Sequence, residues 1–102
     1  MQTLFSSSRL LTVTDDWCPC YPGNQIELSI YLTHFTKCES WDEYYMIKIS
    51  AWGMDDKGVE IYEKTDDCHK AIRTCAKYLK LYKSIPDGID KHWFIENGFE
   101  IA

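Results

Sequence analysis

No apolar run in this chain approaches the roughly 20 residues needed to span a bilayer; the longest resemble Tyr44 to Ile47 and Ala71-Ile72. The first stretch, Met1 to Val13, has no basic n-region and no long apolar core, and Arg9 interrupts it. It does not read as a signal peptide. There is no Asn-x-Ser/Thr acceptor, no Cys-x-x-Cys, no glycine-rich phosphate loop, no dinucleotide fingerprint and no Gly-spaced calcium loop. Internal repeats, low-complexity tracts and dividing linkers are absent too. These absences lead to an expectation of one cytoplasmic domain over 1–102, without cofactor or enzymatic activity. An excess of positive charge is also missing. Eleven Lys and Arg stand against sixteen Asp and Glu, a net charge of −5. This disfavours direct binding to nucleic acid or to an anionic membrane, both of which need basic surface.

What the chain does have is aromatic residues, with four Trp, seven Tyr and four Phe. Large rings build cores, but they also dominate protein interfaces. At 102 residues the chain is long enough to bury a core without covalent staples. Its five cysteines, Cys18, Cys20, Cys38, Cys68 and Cys75, are an odd number. Cys68 and Cys75 are separated by about 10 Å of helical rise, beyond disulfide reach. Free thiols are expected.

Hydrophobic periodicity divides the chain near Thr65. Before it the pattern alternates as in a sheet; after it the pattern is helical. Arg9 to Thr14 reads as a first strand ending at Asp15-Asp16, and Trp17 to Asn24 as a Pro/Gly-broken loop. Gln25 to Thr33 alternates cleanly, placing Ile26, Leu28, Ile30 and Leu32 on one face and Glu27, Ser29, Tyr31 and Thr33 on the other. Tyr44 to Trp52 follows, with Tyr45, Ile47, Ile49 and Ala51 facing the core. Gly53 to Gly58 carries turn chemistry and leads into Val59 to Glu63, a hairpin over 44–63. Thr65-Asp66-Asp67 supplies a cap and first-turn acids for a long helix at about 66–83, whose expected apolar stripe is Cys68, Ala71, Ile72, Cys75, Ala76, Leu79 and Tyr82. Pro86-Asp87-Gly88 breaks the chain, a short helix is expected over 89–96, Asn97-Gly98 ends it, and Phe99 to Ile101 packs as an edge segment. The class is α+β: an antiparallel meander of about four strands packed on one long helix, plus a short C-terminal helix.

Several features carry chemistry in principle but have plainer explanations. Cys18-Pro-Cys20 has a tighter gap than zinc ligand pairs use, and Cys38, Cys68 and His69 would have to complete the set. A Cys-ligated structural zinc is therefore the weaker alternative. His34, His69 and His92 are scattered and lack a nucleophile signature. Asp55-Asp56 and Asp66-Asp67 suit a turn and a helix start. Lys70, Arg73, Lys77, Lys80 and Lys83 form a basic helix face that reads as solvated. Without those five, six bases oppose sixteen acids, so the remainder carries about −10.

One helix covers one side of a sheet. The other side displays Glu27, Tyr31, Tyr44, Met46, Lys48, Trp52, Glu60 and Tyr62, where Thr, Lys and Glu would ordinarily stand. Stacking platforms for single-stranded nucleic acid lie in basic grooves, and this face is acidic. The residues expected to bind a partner are Glu27, Tyr31, Tyr44, Met46, Trp52, Glu60 and Tyr62, and the partner is expected to be a protein with a basic surface. By class, this suggests a small inhibitor that occludes a nucleic-acid-binding protein, as immunity proteins, antitoxins and phage anti-defence inhibitors do. A homodimeric structural or adaptor role is the other alternative.

Overall fold

Alternation in the strands and a 3.6-residue period after Thr65 produce two layers. The computed structural model describes residues 1–14, 17–54 and 58–102. The strands are β1 (Gln2–Thr12), β2 (Gln25–Phe35), β3 (Tyr44–Trp52), β4 (Val59–Thr65) and β5 (Glu100–Ile101), and the helices are α1 (Cys68–Ser84) and α2 (Lys91–Glu96). The sheet is an antiparallel meander in the order β1-β2-β3-β4-β5. The Asp15-Asp16 boundary and the Asp55-Asp56-Lys57 centre of the hairpin turn lie outside the described residues.

Register places the apolar set on one face. Leu28 opposes Ala51, Ile30 opposes Ile49 and Leu32 opposes Ile47, while Ile49 opposes Ile61 and Ala51 opposes Val59. Ile26, Leu28, Ile30, Ile47, Ile49, Ala51 and Val59 are completely buried beneath the helical layer. Each large aliphatic side chain buried in this way contributes about 1.5–3 kcal/mol. The helix α1 packs on β2, β3 and β4. Its N-cap is Asp67, whose carboxylate accepts from the backbone N–H of His69 at 2.8 Å and of Lys70 at 3.2 Å. Those two bonds hold the Asp67 carboxyl below its ordinary pKa. Asp90 caps α2 through the Trp93 N–H, and Gly98, at φ 91°, takes the left-handed position after Asn97.

Three differences from the sequence reading stand out. First, β1 starts at Gln2 instead of Arg9, because the Ser6-Ser7-Ser8 run has little intrinsic strand preference and pairing with β2 overrides it. Second, the edge segment expected over 99–101 is hydrogen-bonded into the sheet through Glu100–Ile101, which makes it a fifth strand beside β4. Third, α1 is turned about its axis: Ala71, Thr74, Cys75, Tyr78 and Tyr82 are buried, whereas Cys68, Ile72 and Ala76 are exposed. The Tyr78 and Tyr82 rings cover more core surface than Ile72 and Ala76 would, so the aromatic side faces in. Burial, with the Glu63 carboxylate beside it, pushes the Tyr78 phenol up to about 12.

The Trp17–Asn24 loop is anchored through its first ring. Trp17 is buried and meets Phe94 edge-on at 5.4 Å, and Phe94 in turn meets Phe99 at 5.0 Å. The Cys18 carbonyl accepts from the Met54 N–H at 2.7 Å, tying the loop to the end of β3. Gly53 makes this approach possible. A Cβ there would press into the Cys18 carbonyl oxygen and come within 2.8 Å of Trp17 Nε1. Gly53→Ala is expected to destabilise the fold by about 1–3 kcal/mol, read from the urea unfolding midpoint. An unchanged midpoint would show that the loop does not sit against β3 in this way.

Candidate functional site

Glu27, Tyr31, Tyr44, Met46, Trp52, Glu60 and Tyr62 all lie on the sheet face opposite α1, because each pairs across the strands with another residue of that face. Three cross-strand rows organise it. The middle row runs Ser8, Ser29, Ser50, Glu60, Glu100 across all five strands. On one side of it stand Ser6, Tyr31, Lys48 and Tyr62; on the other stand Leu10, Glu27 and Trp52. Ser29 and Ser50 are only 3% and 4% exposed although, among the described residues, no helix packs on this face. They form the floor of a trough whose walls are the larger neighbours. Shallow depressions lie at the two edges of the sheet, one lined by Ser6, Ser7, Ser8, Glu27, Ser29 and Tyr31, the other by Glu60, Ile61, Tyr62, Gly98 and Glu100.

Charges along the trough alternate with rings. Lys48 Nζ lies 2.8 Å from Glu60 Oε2 in a partly covered ion pair. Ser29 Oγ donates to Glu27 Oε1 at 3.3 Å. Lys64 Nζ sits 5.3 Å from the Tyr44 ring centre and 5.8 Å from that of Tyr62, so one ammonium is shared between two rings. Tyr44 itself stacks on Phe35 at 4.7 Å. Trp52 and Tyr62 are 39% and 44% exposed, while Tyr31, Tyr44 and Met46 are half-buried. Lys64, Phe35 and Glu100 belong to this surface as well. The first two follow from continuing the alternation of β4 and β2 by one more step; Glu100 required knowledge that β5 joins the sheet.

The cysteines are not gathered. Cys18 and Cys20 lie beside the C-terminal end of β3, where Cys20 Sγ approaches the Trp52 carbonyl at 3.7 Å. Cys38 lies in the β2–β3 connection, and Cys68 opens α1. The Cys68 thiol lies beside the Tyr45 phenol, and its proximity raises the Tyr45 pKa. Cys68 therefore sits at the Tyr45 end of β3, about 25 Å along the strand from Cys18 and Cys20. Among the described residues no group of three or more His, Cys, Asp or Glu is placed to hold a metal ion. The ligand set of Cys18, Cys20, Cys38, Cys68 and His69 does not assemble. His34 stacks on Tyr45 at 4.5 Å and lies 3.4 Å from Glu43, and His92 pairs with Glu96 at 2.9 Å; neither adjoins a cysteine in these contacts. The basic residues of α1, Lys70, Arg73, Lys77, Lys80 and Lys83, are all exposed on the far side from the trough.

Comparison with protein-family models, with curated proteins and with solved structures gives no match. Among the described residues, no helix is long and apolar enough to cross a membrane.

The thiols separate by environment. Cys18, Cys20, Cys38 and Cys68 are exposed, while Cys75 is buried on the inward side of α1 and desolvation raises its pKa. At neutral pH, four thiols are expected to react rapidly with a thiol reagent and the fifth at least tenfold more slowly, as timed by intact mass. Because the Cys75 pKa is raised on folding, its neutral form supports the native state below the unfolded thiol pKa, and that support is lost as pH rises through the folded value. Five equally fast thiols in the native protein would contradict the burial.

Proposed function

We propose that the open sheet face is a protein-binding surface, and that the chain acts as a small inhibitor by occluding a partner with a basic, nucleic-acid-binding surface. The observation that carries this reading is the trough: Tyr31, Trp52, Tyr62 and Tyr44 stand around a sheet face on which, among the described residues, no helix packs. Rings in such a position bury large area at small entropic cost, which is the character of interface anchors. The charge pattern supports a basic partner. Glu27, Glu60 and Glu100 outnumber Lys48 and Lys64 on the face, and the main basic cluster lies away from it on α1. Carboxylates in this setting compete with phosphate for a partner's Lys and Arg side chains and accelerate encounter. By class, this is how immunity proteins, antitoxins and phage anti-defence inhibitors work.

The test is affinity capture from the native host. One stoichiometric partner is expected, with affinity that weakens as salt is raised. Trp52→Ala combined with Tyr62→Glu is expected to weaken it at least about 30-fold, the effect of losing one strong anchor. Both positions are exposed on β strands, so the far-ultraviolet spectrum and melting temperature should persist. A partner retained equally well by the doubly substituted protein would place binding elsewhere. A captured partner whose nucleic-acid binding is unaffected by equimolar inhibitor would remove occlusion as the mechanism.

A further inference from the structure

We propose that the free edge of β1 pairs antiparallel with the same edge of a second copy, joining two sheets into one about a two-fold axis at Ser8. This inference is independent of the occlusion reading, since it uses the edge of the sheet and not the trough.

Backbone parity identifies which groups face outward. The Val13 N–H points inward, donating to the Asn24 carbonyl at the start of β2. Residues 12 and 14 point the other way: the Thr12 N–H donates to Asp87 Oδ1 at 2.9 Å, the Thr12 carbonyl accepts from the Gly88 N–H at 2.8 Å, and the Thr14 N–H donates to the Ile89 carbonyl at 3.1 Å. Even-numbered positions of the regular strand therefore present their N–H and C=O to the free edge. The 87–89 segment covers that edge from Thr12 onward. At the other end, the register shift between Thr3 and Phe5 breaks the ladder. What remains is Ser6 to Leu10, a regular stretch whose outward groups belong to Ser6, Ser8 and Leu10, with Ser8 at its midpoint.

That stretch has the character of a template. Gln2 to Ser8 contains no charge and no proline, the two devices that ordinarily block an edge. Arg9 does not guard it, because its guanidinium is drawn under the sheet to the carbonyls of Tyr82 and Ile85. By contrast, the β4 edge beyond its short pairing with β5 carries Glu63 and Lys64. Among the described residues the backbones of α1 and β1 stay apart, with the Arg9 side chain bridging to the end of α1, and Ser6, Ser7 and Ser8 are exposed. Phe5 packs half-buried against the core, but the serines that follow it meet solvent on both faces and along one edge, and β2 is the strand that holds them. An antiparallel strand is its own complement about a two-fold. Placing Ser8 against Ser8 sets Ser6 opposite Leu10 and allows about six ladder hydrogen bonds. The small serine side chains leave room for Leu10, 45% exposed, to lie across the seam.

Sedimentation velocity over the micromolar to hundred-micromolar range, with hydrogen exchange of the Ser6, Ser8 and Leu10 amides, tests the proposal. A dimer is expected in which these three amides gain protection with concentration. Ser8→Pro removes one outward N–H that the β1–β2 ladder does not use, and is expected to weaken the dimer at least roughly tenfold while melting remains unchanged. A second variant guards against misfolding: Ser6→Lys with Leu10→Lys sets like charges opposite across the seam and should yield monomer. Mixing it with Ser6→Glu/Leu10→Glu chains should restore a heterodimer. A monomer throughout the range, a dimer that survives both variants, or a dimer whose three amides stay unprotected would overturn the proposal.

Discussion

Five strands make two sheet faces, and the helices of this chain are placed to cover only one. That constraint shapes everything else. The face beneath α1 carries a dense block of Ile, Leu, Val and Ala with no exposure at all. The opposite face must be compatible with water, so it cannot repeat the block. It alternates carboxylates, serines and lysines with rings, which is tolerable in solvent and also able to bind. The trough arises from the same requirement: Ser29 and Ser50 lie low between taller neighbours, so they are covered without any helix above them.

The helical layer stays in register with the sheet through a few long-range ties at the α1 C-terminus. The last carbonyls of a helix lack partners within it. Arg9 answers this by donating to Tyr82 O at 3.2 Å and Ile85 O at 2.8 Å, with its guanidinium 5.4 Å from the Tyr82 ring centre. A few residues on, Asp87, Gly88 and Ile89 bond to the edge of β1 at Thr12 and Thr14. The chain after α1 is therefore directed beneath the sheet, where Phe94 joins Trp17 and Phe99 in the aromatic cluster that closes the core. One basic side chain on β1 thus positions the helix end, the connection and, through them, α2.

Most of this architecture is legible in the sequence wherever one periodicity dominates. The alternation of Gln25 to Thr33 and Tyr44 to Trp52 assigns both faces correctly, because a one-residue slip would invert every side chain. The composition of the open face follows from that alone. The orientation of α1 is less legible. Ala71, Cys75 and Tyr82 lie on two overlapping stripes, and the choice between Ile72 and Tyr78 is made by the shape of the sheet below, which local pattern does not contain. Ser6-Ser7-Ser8 is illegible for a related reason, since its strand structure comes from β2 and not from its own side chains. Trp17 could be read as an anchored ring, but not as the partner of Phe94, seventy-seven positions away. The cysteines show the converse: their proximity in sequence at Cys18-Pro-Cys20 suggested a ligand pair, whereas the other thiols in the expected set are distributed around the far end of β3.

The two exposed surfaces also differ in what they can accept, and charge separates them. A two-fold axis through the open face would bring Glu27, Glu60 and Glu100 of one copy toward those of another, with only Lys48 and Lys64 to offset them, and Lys48 is already paired with Glu60. Like carboxylates held at short range in a partly desolvated seam oppose association. The β1 edge has no such conflict, since its outward stretch is neutral and its backbone groups are self-complementary. On the proposed reading, an acidic face would favour a basic surface over its own copy, while a neutral edge would be free to meet itself. Pairing at the edge would leave both troughs open, and each copy would extend the other's sheet beside the Ser6, Ser8 and Tyr31 depression. The division follows from where the sequence places charge: it puts carboxylates on the open face but none between Gln2 and Ser8.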